Sequence, residues 1–187
     1  MAKADNNVIL SHLSGSIGDQ LTVRQTEAGT IVSKKQRKSK KRPTEAQVYV
    51  KVHFKETSHR AMALLADPDL FEFYDSVKGP GQTAYNMAVK DVFNPPEIRD
   101  ISTNQYLGKA GDKIVIRAVD VFRVFRVTVA IYSAKDVLLE EGDAIIARNG
   151  KDWTYTTTKE NKVLKGVKIK VMAEDVPANK TYSEIIL

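Results

Sequence analysis

The sequence predicts an α+β N-terminal region followed by an all-β antiparallel sandwich, with the division at about residue 95. Three observations carry this expectation. Helical periodicity stops at Asn94-Pro95-Pro96, where two prolines force an extended backbone. Downstream, short runs of alternating apolar and polar residues recur with glycines between them. Upstream, two β-branched runs joined across a glycine precede three helical segments. The expected domains are therefore 1–95, a β-hairpin, basic arm and helical connector, and 96–187, the sandwich. A chain of 187 residues has room for both, since domains commonly run ~100–150 residues and smaller ones fold alone.

The first 95 residues justify their elements one by one. Leu21, Val23 and Ile31 with their flanking threonines form strands, and Thr26-Glu-Ala-Gly29 has hairpin chemistry, which predicts a hairpin of 19–25 with 30–36. A lone hairpin is marginal in water, so this one should pack on the following helices or on another subunit. Ser14-Gly-Ser-Ile-Gly18 reads as a tight turn or a close backbone contact. It lacks the Gly-Lys-Ser/Thr ending of a phosphate loop, and a strand follows where such a loop needs a helix. Thr44 and Gln47 make a capping box that opens a helix running to Ala66, with Val50, Phe54, Ala61 and Leu65 on one apolar stripe. Asp67-Pro68 stops it, and shorter helices follow at 69–77 and 83–93.

From Glu97 onward the strands read 97–102, 113–119, 124–133, 137–148 with a break near Gly142, 153–158, 167–173 and 181–187. Seven short strands with turn signals between them are the pattern of an immunoglobulin-like sandwich. Trp153 and Tyr155 alternate on one strand and belong to its core, where a carbohydrate site would instead need them exposed. The last strand reaches Leu187, so no tail is expected after it.

Composition excludes several chemistries. The chain is 42% hydrophobic and 28% charged, a globular balance, and it has no cysteine. Disulfides, a thiol nucleophile, Fe–S clusters and Cys-based zinc sites are therefore ruled out. The N-terminus is polar, Val8-Ile-Leu10 is too short for a signal-peptide core, and no apolar run approaches the ~20 residues that span a bilayer. The expectation is a soluble protein with no membrane association, made in the cytoplasm of the producing cell.

His12, His53 and His59 are scattered, and no Ser/His/Asp arrangement or carboxylate pair stands at catalytic spacing. No catalytic residue, metal site or cofactor is predicted, and the protein is read as a non-enzyme. The acids Glu97, Asp100, Asp112, Asp120, Asp143 and Asp175 sit near strand ends, where calcium can bridge loops, but they form no Asp-x-Asp-x-Asp run and read as solvated turn acids.

The strongest chemical signal is the run from 34 to 42. Lys34, Lys35, Arg37, Lys38, Lys40, Lys41 and Arg42 place seven cations in nine positions of a chain whose net charge is +6. Such a segment binds a phosphate backbone in a salt-sensitive way, or docks on an acidic protein surface. The nearest aromatic, Tyr49, lies beyond Pro43, so base stacking is not expected of it.

Two resemblances extend this reading. Leu13-Ser-Gly-Ser-Ile-Gly18, the strand pair to Val32, the basic link and Pro43-Thr-Glu-Ala-Gln47 followed by Phe54 resemble a group of uncharacterised proteins of Bacteroidota and their phages. Tyr106-Leu-Gly, Gly111-Asp-Lys-Ile-Val-Ile, Trp153-Thr-Tyr and the Ala173-x-Asp175-x-x-x-Asn179 ending are similar to bacterial and phage immunoglobulin-like modules. The chain departs from that pattern at Ala178, where those modules carry glycine before the asparagine. The resemblance implies a non-enzymatic structural or assembly component of a large particle, a phage virion or contractile apparatus. Its partners would be other protein subunits, including further copies of itself, and its final location the assembled particle. The alternative is a nucleic-acid-associated protein that binds phosphate backbone through Lys34–Arg42.

Overall fold

A computed structural model of the chain describes residues 2–3, 8–10, 12–26, 29–36 and 41–187. It divides into two compact units, Met1–Ala88 and Val89–Leu187, with the division inside a helix just ahead of the double proline.

The first unit opens with a four-stranded antiparallel sheet of β1 (Ala2–Lys3), β2 (Gly15–Ile17), β3 (Leu21–Thr26) and β4 (Gly29–Lys34), in the order β1-β4-β3-β2. The hairpin falls where the β-branched residues predicted it, with Val23 opposite Val32. Its support differs from expectation. The 14–18 segment, read as a turn, is strand β2, and it pairs Ser16 with Thr22. The hairpin thus gains a strand on each side, which satisfies backbone donors that a bare edge leaves open. Gly18 keeps the turn role, since its φ of 55° suits glycine. One face of the sheet is closed: Val23 is fully buried, and the Gln25 amide donates to the Leu10 and Leu13 carbonyls, tying the preceding segment to it.

Helix α1 (Glu45–Leu64) begins as the sequence requires: the Thr44 hydroxyl accepts from Gln47 N–H, and the Gln47 side chain accepts from Thr44 N–H. Asp67 caps α2 (Pro68–Ser76), whose first residue is the proline that the preceding helix could not accommodate. Helix α3 spans Ala84–Phe93. Tyr74 and Ala61 are fully buried, and the Ser58 and Tyr85 hydroxyls are hydrogen-bonded. The predicted stripe along α1 is only half covered. Ala61 is buried, whereas Val50 and Phe54 are 59% and 50% exposed, because residues 45–56 are exposed at every position.

The second unit carries β5 (Glu97–Gln105), β6 (Lys113–Val119), β7 (Val124–Tyr132), β8 (Leu138–Asp143), β9 (Ile145–Ile146), β10 (Asp152–Thr156), β11 (Lys168–Asp175) and β12 (Lys180–Ile186). They form two antiparallel sheets, β5-β6-β10-β9 and β12-β11-β7-β8. Ile114, Ile116 and Ala118 of β6 and Trp153 and Tyr155 of β10 share one core with Val127, Val129 and Ile131 of β7 and Ile169, Val171 and Ala173 of β11. This is the sandwich-like arrangement that period-two alternation predicts, and each buried valine or isoleucine in it contributes ~1.5–3 kcal/mol by leaving water. The break expected near Gly142 in the fourth run falls at Ala144, between β8 and β9. Gly142 is paired with Val129 inside β8, and a Cβ there would stand 3.0 Å from the Tyr155 ring, so any larger residue would make the ring shift by a few tenths of an ångström. No helix among the described residues is long and apolar enough to cross a membrane.

Candidate functional site

The basic segment leaves the sheet at the end of β4. Lys34 is exposed, and its backbone pairs with Leu21. Lys35 continues the ladder by donating its N–H to the Gln20 carbonyl, and its ammonium reaches the Asp19 carboxylate at 2.9 Å. Lys41 and Arg42 are exposed between the sheet and α1, while Arg37, Lys38 and Lys40 lie outside the described residues.

The structure adds residues to this region that the charge run did not reveal. Ser16, Thr22 and Ser33 stand in one row across β2, β3 and β4, and Arg24 and Lys35 follow at two-residue steps on the same face. Thr22, Arg24, Ser33, Lys34, Lys35 and Gln36 line a concavity of about 390 Å³. Alternation within the hairpin was the available signal, because it puts Thr22 and Arg24 on the face opposite Val23.

Helix α1 follows the basic segment with a different chemistry. Over residues 45–56 it shows Val48, Tyr49, Val50, Val52 and Phe54 at 45–71% exposure. These residues lie on several sides of the helix, so this part of α1 has neither a covered nor a wholly polar face.

In the second unit, carboxylate oxygens of Asp91, Asp120 and Asp175 lie within 4.8 Å of one another, with Asp91 and Asp175 at 0% and 1% exposure. The first is on α3, the second directly follows β6, and the third ends β11. Sequence reasoning named Asp120 and Asp175 but missed Asp91. Its signal was present: Ala84, Met87, Ala88, Asp91 and Val92 form the buried stripe of α3 at helical spacing. Asp175 likewise continues the inward alternation of Ile169, Val171 and Ala173.

The hydrogen bonds give Asp175 and Asp120 local work. Asp175 accepts from the Asn179 backbone N–H at 2.6 Å and from its side-chain amide at 2.8 Å, and that amide also reaches the Val92 carbonyl. Asp120 accepts from the Phe122 and Arg123 backbone N–H groups. These contacts organise the turns at Asp175 and Asp120, and Asp175, expected as a solvated turn acid, is buried because its strand alternation carries it inward.

Glu97, Asp112 and Asp143 are also explained locally. Glu97 meets Arg99 at 3.1 Å, and Asp143 meets Arg126 at 2.8 Å. The Asp112 carboxylate accepts from the Leu107 and Lys109 N–H groups, and these bonds hold it below the usual carboxylate range. Asp152 is held low in the same sense, chiefly by the Arg117 guanidinium. Glu140, 6% exposed, accepts from Thr158 N–H, the Thr158 hydroxyl and Lys159 N–H, clipping that loop to β8. Burial first, and the Glu140 charge second, push the Tyr155 hydroxyl up to about 12. Trp153 and Tyr155 are 6% and 4% exposed, so a carbohydrate platform built on them is ruled out.

No family model matches the chain, and no curated protein is significantly similar to it.

Proposed function

We propose that this chain is a non-enzymatic assembly protein, a structural component of a large particle of the virion or contractile-apparatus kind. Its N-terminal unit would be covered by neighbouring subunits, and its C-terminal unit would be an immunoglobulin-like module that presents or joins. The observation that carries the reading is the first half of α1. Val48, Tyr49, Val50, Val52 and Phe54 are 45–71% exposed along one continuous stretch. A helix that keeps so many large apolar side chains in water is suited to burial against another chain, because exposed apolar patches of this kind mark interaction surfaces.

The wiring of the second unit supports the module assignment. Labelled A to G in chain order with an added C′, its strands fall into the sheets A-B-E-D and G-F-C-C′, the immunoglobulin arrangement. The buried tryptophan of that arrangement sits here on strand E, at Trp153, instead of strand C. Localisation in the producing cell and then in the particle follows from the same reading.

Photo-crosslinking tests it. A photoreactive amino acid at position 49 in the full chain should trap either a second copy or another particle subunit in the producing cell, and the purified chain should associate as concentration rises. A monodisperse monomer at every concentration, with no crosslinked product, would overturn the proposal.

A further inference from the structure

We infer that the open face of the N-terminal sheet seats the sugar–phosphate backbone of a nucleic acid, held by cations and hydroxyls without contact to the bases. This goes beyond the docking role of α1 and uses different residues. On this face the groove lined by Thr22, Arg24, Ser33, Lys34, Lys35 and Gln36 presents the Arg24 guanidinium, the Lys35 ammonium and the Thr22 and Ser33 hydroxyls, whereas Lys34, opposite Leu21, falls on the Val23 side by alternation. All can donate hydrogen bonds, and phosphate oxygens only accept them. Ser16 extends the hydroxyl row on β2, beside Thr22.

The two faces of the sheet are chemically distinct. One buries Val23 and is tied through Gln25 to the preceding segment, and the other is the donor-lined face. The carboxylate paired with Lys35 belongs to Asp19, whose side chain is 94% exposed. Such a surface pair is worth little, so a phosphate can replace it.

The lining also selects between polyanions. A protein partner would bring an apolar interface core, and among the described residues lining the groove none is apolar, the nearest on that face being Ile31 beside Arg24. Unstacked bases would need aromatic platforms, and the described lining residues include none. A phosphate backbone needs neither. In sequence, Gln36 leads into Arg37, Lys38, Lys40, Lys41 and Arg42, so the same chain segment continues to supply cations.

The test uses the full chain and a short labelled DNA duplex of mixed sequence, followed by fluorescence anisotropy across a salt series. The wild-type chain should bind, with affinity falling steeply as salt rises. Arg24→Gln, outside the basic run, should lower the slope of log K against log salt by about 0.9, the counterion equivalent of one phosphate. Thr22→Val with Ser33→Ala should weaken binding severalfold at unchanged slope, because hydroxyls release no counterions. Lys162→Gln, in the second unit, should change nothing, and circular dichroism should match for all variants. The inference fails if the wild type does not bind. It fails equally if both groove variants bind as the wild type does, which assigns the contacts to the basic run alone. Competition by poly-glutamate as effective as that by unlabelled duplex would also overturn it, in favour of an acidic protein surface.

Discussion

Replacing Val50 and Phe54 together by glutamine should abolish most of the association attributed to α1 while leaving the isolated chain folded. Fully burying a side chain of this class is worth ~1.5–3 kcal/mol. Val50 and Phe54 are 59% and 50% exposed, so about half of that remains to be gained on docking. The pair then supplies about 2 kcal/mol, roughly a thirtyfold change in association constant. The cost to the monomer is bounded by the half of that burial already made, about 2 kcal/mol for the pair, and is offset in part because glutamine is a better helix former than valine or phenylalanine. Sedimentation velocity over a concentration series reads the association, and circular dichroism reads the helix. Val163→Gln, a comparably exposed apolar residue in the second unit, serves as control. Unaltered association of the Val50→Gln/Phe54→Gln variant, with wild-type association intact, would refute the reasoning.

Three further outcomes follow from the second unit. Ala178 has φ 64°, a left-handed conformation that costs an L-residue ~1–2 kcal/mol, so Ala178→Gly should stabilise the hairpin by ~0.5–1 kcal/mol and raise Tm by a few degrees; a lower Tm would contradict this. Tyr155 holds its proton to about pH 12 in the fold, against ~10 when unfolded. Its contribution is therefore complete below pH 10 and lost as pH rises toward 12, about 2–3 kcal/mol in total; urea titrations should show the alkaline decline, and Tyr155→Phe should reduce it. Trp153, 6% exposed, should fluoresce with a blue-shifted maximum and resist iodide quenching until the chain unfolds, and efficient quenching of the native protein would place the indole at the surface.

Much of the fold was legible because its signals are local. The Thr44–Gln47 box, Asp67-Pro68 and the Asn94-Pro95-Pro96 stop are set by backbone chemistry within a few residues. The β6, β7 and β11 alternations mark their buried faces without reference to any neighbour. The conversion of 14–18 into a strand was not legible, since Gly15-Ser-Ile17 has weak strand propensity and becomes a strand by pairing with β3.

The sequence by itself determined the positions of helices and sandwich strands, the aromatic core of the second unit and the clustering of cations after β4, because periodicity, capping and charge are properties of neighbouring residues. Tertiary structure decided what depends on distance through space. It brought Asp91 to Asp120 and Asp175, set Gly142 against the Tyr155 ring, and aligned Ser16, Thr22 and Ser33 beside Arg24. It also decided which half of the α1 stripe is covered. Val50, Phe54 and Ala61 share one helical face, and their burial differs because packing neighbours reach Ala61 but leave residues 45–56 in water.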